Sequence, residues 1–169
     1  MENLLFIGGI HGVGKGTICK KICEETNLIH ITASDVLKWN ELSKPDNKKV
    51  ANIKDTQKRL ISGLSRIINE NKTYLLDGHF CLFNAKGEVE RIPEETFEQI
   101  NPMLFAIVID DVDQIQERIN KRDEKFYNID TLEKMQIAEI EYSKDIALLL
   151  NVPLIEIKNG NYQPLIKLL

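Results

Sequence analysis

Glycines and one lysine near the start of the chain have the spacing of a loop that binds phosphate. The segment "GGIHGVGKGT" nearly matches the pattern G-x-x-x-x-G-K-[ST], with Gly9, Gly14 and Lys15 in place. Gly16 stands where a magnesium-binding hydroxyl is usual, and Thr17 follows one position later. Backbone N–H groups and the positive end of a following helix attract phosphate oxygens, and Lys15 would reach the β and γ phosphates. These residues predict that the chain binds the phosphates of a nucleotide.

Such a loop requires a strand before it and a helix after it, and the flanking residues predict both. The apolar run at 4–10 is typical of a buried strand, and "KGTICKKICEE" predicts a helix from Lys15 to about Glu25. Gly9, Gly12 and Gly14 allow backbone positions that side chains would block. The alternative is a glycine-rich turn with an incidental lysine, which requires the spacing and both flanks to coincide.

The rest of the chain alternates between strand-like and helix-like segments. Further strands are predicted at 28–32, 73–79, 103–111 and 153–159, and helices at 55–70, 94–100 and from 112, with a short final helix. Ser34 is expected to cap another helix, and an irregular segment is expected after residue 79. One long helix carries an apolar stripe formed by Met135, Ala138, Tyr142, Ile146 and Leu149. Nearly continuous apolar strands predict a three-layer α/β/α domain with a five-stranded parallel sheet.

Bulk composition favours a single cytoplasmic domain that spans residues 1–169. The chain has 169 residues, of which 43% are hydrophobic and 28% charged, and a net charge of -4, so nucleic acid is an unlikely partner. Neither a signal peptide nor a run of ~18 apolar residues is found, so no membrane association is expected. Cys19 and Cys23 lie four apart on a predicted helix, and we expect them to be small buried residues rather than metal ligands.

Four cations follow the fourth predicted strand with helical spacing. Arg118, Lys121, Arg122 and Lys125 fall on one helix face, where an anionic ligand would relieve their mutual repulsion. The alternative is a solvated face balanced by neighbouring acidic residues. The segment "NKRD" matches the guanine signature of GTPases, but it lies well beyond the strand end at Asp110, so we interpret it as a coincidence.

Several of these segments together resemble one family. The loop form G-x-x-G-x-G-K-G-T, "HITASDVLK" and "YLLDGH" resemble adenylate kinases and related nucleoside monophosphate kinases. The second half, including "NAKGEVERIPEETFEQINPMLFAIVIDD" and "IKNGN", is similar to archaeal-type adenylate kinases. The resemblance covers nearly the whole chain and implies a P-loop NTPase fold. It also implies transfer of a phosphoryl group from ATP, with Mg²⁺, to a nucleoside monophosphate, above all AMP.

The same resemblance implies roles for particular residues. Lys15, Arg118 and Arg122 would be catalytic, the two arginines lying in a lid at about 118–130. The residues expected to contact ATP are Gly9, Gly12, Val13, Gly14, Lys15, Gly16, Thr17, Ile157 and Asn159. Asp77, helped by Thr17, would anchor the water shell of Mg²⁺, a cation that needs few protein ligands.

The acceptor is expected in an insertion at about 33–72, beside the strand end at Asp77. Its predicted contacts are Ser34, Asp35, Lys38, Gln57, Arg59 and His79. This region departs from the bacterial kinase pattern, because Lys38 replaces an arginine and Phe80 with Cys81 replaces Pro-Arg. Two alternatives therefore stay open: a kinase for another small-molecule acceptor, and a nucleotide-binding ATPase or switch that acts with a protein partner.

Overall fold

The computed structural model describes residues 1, 3–37, 53–123 and 127–169. The side chain of Asp123 is not among the described groups. The expected acceptor contact Lys38 and the expected lid cation Lys125 lie outside the described residues.

A five-stranded parallel sheet forms the centre of the fold. Its strands are β1 (Leu4–Gly8), β2 (Ile29–Thr32), β3 (Tyr74–Asp77), β6 (Leu104–Ile109) and β7 (Leu154–Lys158). Their order is β2-β3-β1-β6-β7, and every pairing is parallel. A separate antiparallel hairpin consists of β4 (Cys81–Phe83) and β5 (Val89–Arg91). The predicted α/β fold with a five-stranded parallel sheet is confirmed.

Helices cover the sheet and connect its strands. They are α1 (Lys15–Glu25), α2 (Ala33–Leu37), α3 (Ile53–Ile67), α4 (Glu94–Ile100), α5 (Val112–Asp123), α6 (Ile129–Leu150) and α7 (Gln163–Ile166). Helix α1 packs against β2 and β3, whereas α6 packs against β6, β7 and the hairpin. Among the helices of the described residues, none combines the length and the apolar character that crossing a membrane requires.

The strand register decides which side chains meet each helix layer. Phe6 is aligned with Leu76 and Phe105, and its ring packs edge to face against Phe97 of α4. Alternation along the strands turns Ile7 and Asp77 to the opposite face, together with His30 and Thr32 of β2. The polar residues of this second face therefore lie under α1, which begins in the phosphate-binding loop.

Three local expectations were wrong. Helix α2 begins at Ala33, and the cap is Thr32, whose Oγ1 accepts from Asp35 N at 3.0 Å, so Ser34 lies inside the helix. The segment expected to be irregular contains the β4-β5 hairpin. Leu149, expected in the apolar stripe of α6, is 53% exposed, because the buried side of the helix there consists of Ile146 and Ala147.

Candidate functional site

A cleft of about 470 Å³ opens at the carboxyl ends of β1, β2 and β3. This is the edge at which open α/β sheets usually bind ligands. Its lining comes from the loop after β1, the start of α1, the β2-α2 junction, the end of β3 and the second half of α5. The lining residues are His11, Gly12, Gly14, Lys15, Gly16, Thr17, Thr32, Ala33, Ser34, Asp77, Gly78, His79, Arg118, Ile119 and Arg122.

Residues 9–17, called the phosphate loop below, require glycine at particular positions. Gly14 has φ 103° at the N-cap of α1, and Gly12 has φ 81°. A Cβ on Gly12 would lie 2.2 Å from the side chain of Ile119 on α5, so the loop packs closely against that helix. Gly16 differs, because a Cβ there would have no atom within 4 Å. The glycine sequence therefore fixes the loop against α5 and leaves its Gly16 side open.

Lys15 is buried at the first position of α1 and points back into the loop. Its Nζ donates to the carbonyl oxygens of Gly9 at 2.7 Å and Ile10 at 3.4 Å. The same ammonium lies 3.8 Å from Asp77 Oδ1. The lysine thus places a positive charge within the loop at the N-terminus of α1, where phosphate oxygens would be bound.

Asp77 ends β3 and lines the cleft beside Lys15. Burial alone would raise the pKa of its carboxyl, but the neighbouring His30 imidazole and the Lys15 ammonium outweigh this effect and lower the pKa below its usual value. The carboxylate is therefore ionised at neutral pH. Its second oxygen, Oδ2, lies 3.9 Å from His30 Nε2.

The two predicted lid arginines both reach the cleft from α5. Arg118 donates from Nη2 to Asp110 Oδ2 at 2.5 Å and from Nε to the Gln114 carbonyl at 3.1 Å. Its other Nη lies 3.6 Å from where a Cβ of Gly14 would be. Arg122 contacts His11 of the phosphate loop through its guanidinium. The structure thus brings together Lys15 and both arginines, while their catalytic roles stay predictions.

The expected acceptor residues are only partly brought together. Ser34 and His79 line the cleft, but Asp35 does not, since its carboxylate accepts a 2.6 Å hydrogen bond from Thr32 Oγ1 in the helix cap. Gln57 is buried in α3, where its Oε1 has no hydrogen-bond partner among the described residues. Arg59 is exposed on the same helix and does not line the cleft.

Four of the expected ATP contacts lie outside the cleft lining. Gly9 and Val13 are buried residues of the phosphate loop itself, and the side chain of Ile157 is fully buried in the core. Asn159 lies in the tight turn after β7, with φ 50°, and its N–H donates to the Ile109 carbonyl at 3.1 Å. A contact between Ile157 and a base would therefore use backbone atoms.

Glu139 of α6 is the residue at this site that the sequence did not point out. Its side chain is 0% exposed, and Oε2 accepts from Gly9 N at 3.1 Å. Oε1 accepts from the backbone N–H groups of Phe80 and Cys81, both at 3.0 Å, and lies 3.5 Å from His79 Nδ1. One carboxylate therefore joins the phosphate loop to the segment after β3. In the sequence, Glu139 follows Met135 by four residues, and this spacing on the apolar side of α6 could have indicated that the carboxylate is buried.

The residues of the cleft fit a nucleotide triphosphate and a divalent cation. The loop N–H groups and Lys15 suit phosphate oxygens, and the ionised Asp77 with the exposed hydroxyl of Thr17 lines the same space. Carboxylate and hydroxyl oxygens are hard ligands of the kind that Mg²⁺ prefers, usually through its waters. Asp77 and Thr17 are therefore the residues that would hold Mg²⁺.

Comparison with known proteins relates the chain to one family and to two kinases. Residues 8–136 match the family described as AAA domain. An adenylate kinase from Thermococcus sibiricus (strain DSM 12597 / MM 739) is 27% identical over 117 residues, which cover 64% of this chain and 60% of that protein. UMP-CMP kinase 2 from Caenorhabditis elegans is 50% identical over 38 residues, 22% of this chain and 20% of that protein. The matched segments span less than two thirds of either relative.

Solved structures share the fold at low sequence identity. A gluconokinase from Sinorhizobium meliloti 1021 superposes with a TM-score of 0.55 at 12% identity, over 92% of this chain and 82% of that one. A sugar kinase from Janibacter sp. HTCC2649 superposes with a TM-score of 0.58 at 12% identity, over 94% and 86% of the two chains. At this identity the likeness concerns the fold. The family match covers more than half of the sequence, so the chain belongs to the AAA domain family, and it resembles the P-loop nucleoside monophosphate kinases.

Proposed function

We propose that the protein transfers the γ-phosphoryl group of ATP to a nucleoside monophosphate, with AMP as the first candidate acceptor. The observation that carries the proposal is one cleft lined by the phosphate loop, the ionised Asp77 and two arginines of α5. Phosphoryl transfer depends on positioning and on neutralising charge, and these groups supply both. The matches to an adenylate kinase and a UMP-CMP kinase support a nucleotide as the acceptor.

Each residue has a distinct part in this proposal. Bound Mg²⁺-ATP supplies the transferable group and spreads charge over its phosphates. Lys15 leaves the Gly9 and Ile10 carbonyl oxygens to hold phosphate, and Asp77 with Thr17 orients the cation's water shell. Arg118 and Arg122 stabilise the charge that develops on the phosphoryl group during transfer. Ser34 and His79 bound the side of the cleft away from α5, where the acceptor would lie.

A second candidate function is transfer to a hydroxyl group of another small molecule. The specific observation that favours it is the chemistry of the acceptor side, where the described lining residues after β2 and β3 offer hydroxyl and imidazole groups but no guanidinium. Such groups suit a sugar-like hydroxyl, and two of the similar structures are a gluconokinase and a sugar kinase. Acceptor recognition would then depend on hydrogen bonds rather than on ion pairs.

An acceptor screen separates these functions. The protein is incubated with ATP, Mg²⁺ and either AMP, CMP, UMP, GMP, gluconate or a panel of sugars, and ADP formation is measured by a coupled assay. Transfer to at least one monophosphate, lost in Lys15→Ala, is the expected result. Turnover with gluconate or a sugar alone would favour the second candidate. ADP formation at the same rate with and without each acceptor would instead indicate an ATPase or a switch that acts with a partner protein.

A further inference from the structure

Three side chains with metal-binding chemistry meet beneath the phosphate loop. Cys19 of α1, His30 of β2 and Asp77 of β3 each offer one donor atom, and these atoms lie within 4.8 Å of one another. The separation between His30 Nε2 and Asp77 Oδ2 is 3.9 Å. Cys19 is fully buried, whereas the other two side chains are partly exposed. Asp77 is the member of the cluster that also lines the cleft.

The fold brings the three residues together by simple geometry. The β2-β3 register aligns His30 with Leu75 and Thr32 with Asp77, so His30 and Asp77 project from one face of the sheet, two positions apart. Helix α1 packs on that face, and its Cys19 follows Lys15 by one turn on the same side. Both α1 residues therefore point toward Asp77, and rigid elements rather than loops hold all three donors.

One ring nitrogen of His30 faces the Asp77 carboxylate at 3.9 Å, which is beyond hydrogen-bond distance. Its Nε2 is buried and has no hydrogen-bond partner within the part of the chain that the structure describes. Leaving a buried polar atom without a partner costs free energy, so such an atom calls for an explanation. The neighbouring donors, a thiol and a carboxylate, together with an imidazole nitrogen form a mixed S, N, O set.

We propose that Cys19, His30 and Asp77 form a binding site for a borderline-soft divalent cation of the Zn²⁺ class. Thiolate, imidazole and carboxylate are the three protein ligands of zinc, and three of them leave a fourth position for water. Zinc bonds of about 2.0–2.3 Å require donors roughly 3.3–3.8 Å apart, so the widest separation must close by about 1 Å. This closure is within the reach of rotations about the side-chain bonds of Cys19 and Asp77.

Binding changes the protonation of one ligand. Cys19 is fully buried in this cluster, and zinc binds cysteine as the thiolate rather than as the thiol. As the sulfur–metal bond forms, the S–H bond breaks and the proton passes to solvent. The divalent cation then offsets the negative charges of the thiolate and of the Asp77 carboxylate. Cys23, one turn further along α1, does not belong to this group.

The two oxygens of Asp77 connect this site to the cleft. Oδ1 faces Lys15 at 3.8 Å, and Oδ2 faces His30 at 3.9 Å. A cation bound on the Oδ2 side would withdraw charge from the carboxylate that we assign to the Mg²⁺ water shell. Zn²⁺ should therefore inhibit phosphoryl transfer, a consequence that rests on the proposed function, whereas metal binding itself does not.

Cobalt substitution tests the site directly. Co²⁺ is titrated into the reduced, metal-free full chain while absorption is recorded, and one equivalent is expected to give a thiolate-to-cobalt charge-transfer band that Zn²⁺ removes. Cys19→Ala should abolish the band, and His30→Gln should weaken Co²⁺ binding by tenfold or more. Cys23→Ala and Cys81→Ala are matched controls and should keep the band, with circular dichroism and thermal melting confirming that each variant folds.

The outcomes separate the site from a chance cluster. A band that needs Cys23 or Cys81 instead of Cys19 would overturn the proposal, and so would the absence of any saturable band. Because His30 is partly exposed, His30→Gln should fold normally, so unchanged Co²⁺ affinity in that variant would also overturn it. The spectra do not depend on catalysis, so this experiment tests the metal site independently of the proposed kinase activity.

Discussion

Positive side chains approach the phosphate loop from two elements. Lys15 comes from the loop's own helix, and carbonyl oxygens of Gly9 and Ile10 hold its ammonium. Arg118 and Arg122 come from α5 and lie against Gly14 and His11. A phosphoryl group bound on the loop would meet cations from both sides, which is the arrangement that electrostatic stabilisation of its transfer requires.

Arg122→Ala should separate catalysis from nucleotide binding. Under the proposed function the guanidinium would stabilise charge that develops during transfer, so kcat should fall by about 10³-fold or more while the affinity for ATP changes little. Steady-state kinetics and a direct ATP titration measure the two effects. Lys134→Ala is the charge-matched control, since Lys134 is exposed on α6 and does not line the cleft. A near-normal kcat in Arg122→Ala would contradict the catalytic role and favour the alternative of a solvated helix face.

Asp77→Asn should reduce stability in a pH-dependent way. The folded-state pKa of Asp77 is lowered, so its carboxylate stabilises the fold above its ordinary pKa of 3.8, and this contribution is lost as pH falls through the lowered value. Urea unfolding of the wild type and the variant should show a gap in unfolding free energy at neutral pH that shrinks in strong acid. A difference in unfolding free energy that is absent at neutral pH, or that grows in acid, would contradict a stabilising role of the ionised Asp77 carboxylate.

Among the secondary-structure elements, α6 determines how the two halves of the cleft are joined. Glu139 accepts backbone hydrogen bonds from the loop after β1 and from the segment after β3. A second buried residue of the helix, Gln136, donates to the Asp110 carbonyl at 2.9 Å, next to the carboxylate that pairs with Arg118. Helix α6 is thus a support for the site, although its own residues do not line the cleft.

Glu139→Gln should loosen the phosphate loop. The amide nitrogen of Gln would face backbone donors, and each buried group left unsatisfied costs about 1–3 kcal/mol. We expect a lower melting temperature and a KM for ATP that rises more than kcat falls, because the residue positions the loop without touching the phosphates. Glu141→Gln, on the exposed face of the same helix, should change neither value. Unchanged stability and kinetics in Glu139→Gln would contradict the proposal that Glu139 positions the phosphate loop.

Two glycines of the phosphate loop should respond oppositely to the same substitution. Gly12→Ala places a Cβ at a positive φ and against Ile119, which should destabilise the fold by about 1–3 kcal/mol. A Cβ at position 16 would contact no neighbouring atom. Gly16→Ala should therefore stabilise the protein by about 0.4–1 kcal/mol, because alanine lowers the conformational entropy of the unfolded chain. Chemical unfolding of both variants measures the difference. Equal effects would show that loop packing against α5 does not set the requirement for glycine.

Local periodicity predicted most elements but not how distant parts of the chain meet. Helices α1 and α4 begin and end where the sequence pattern placed them, because their boundaries depend on nearby residues. The β4-β5 hairpin was missed because its short strands are stabilised by packing against α6, a long-range contact. The polar Glu139 was likewise overlooked, since its partners Gly9 and Phe80 lie far away in sequence.

At the scale of the whole molecule, the strand order accounts for the position of the cleft. Strand β1 lies between β3 and β6, so its carboxyl end faces the connections on both sides of the sheet. The sequence predicted that Lys15, Asp77 and the arginines of α5 would share a site, because a phosphate loop and a strand-end aspartate have fixed places in this fold. It could not predict that the Asp35 carboxylate bonds to the Thr32 cap of α2 or that Gln57 is buried, because both depend on how the folded chain packs.

A labelled γ-phosphoryl group shows directly whether the protein transfers this group from ATP to AMP. The protein is given Mg²⁺, AMP and ATP that carries the label on its γ-phosphorus, and the products are separated by chromatography. The label is expected in ADP formed from AMP, in equal amount to the ATP consumed, and Arg122→Ala should slow this transfer. Label released only as inorganic phosphate, or retained in ATP with every acceptor offered, would contradict the assignment of this cleft to phosphoryl transfer between nucleotides.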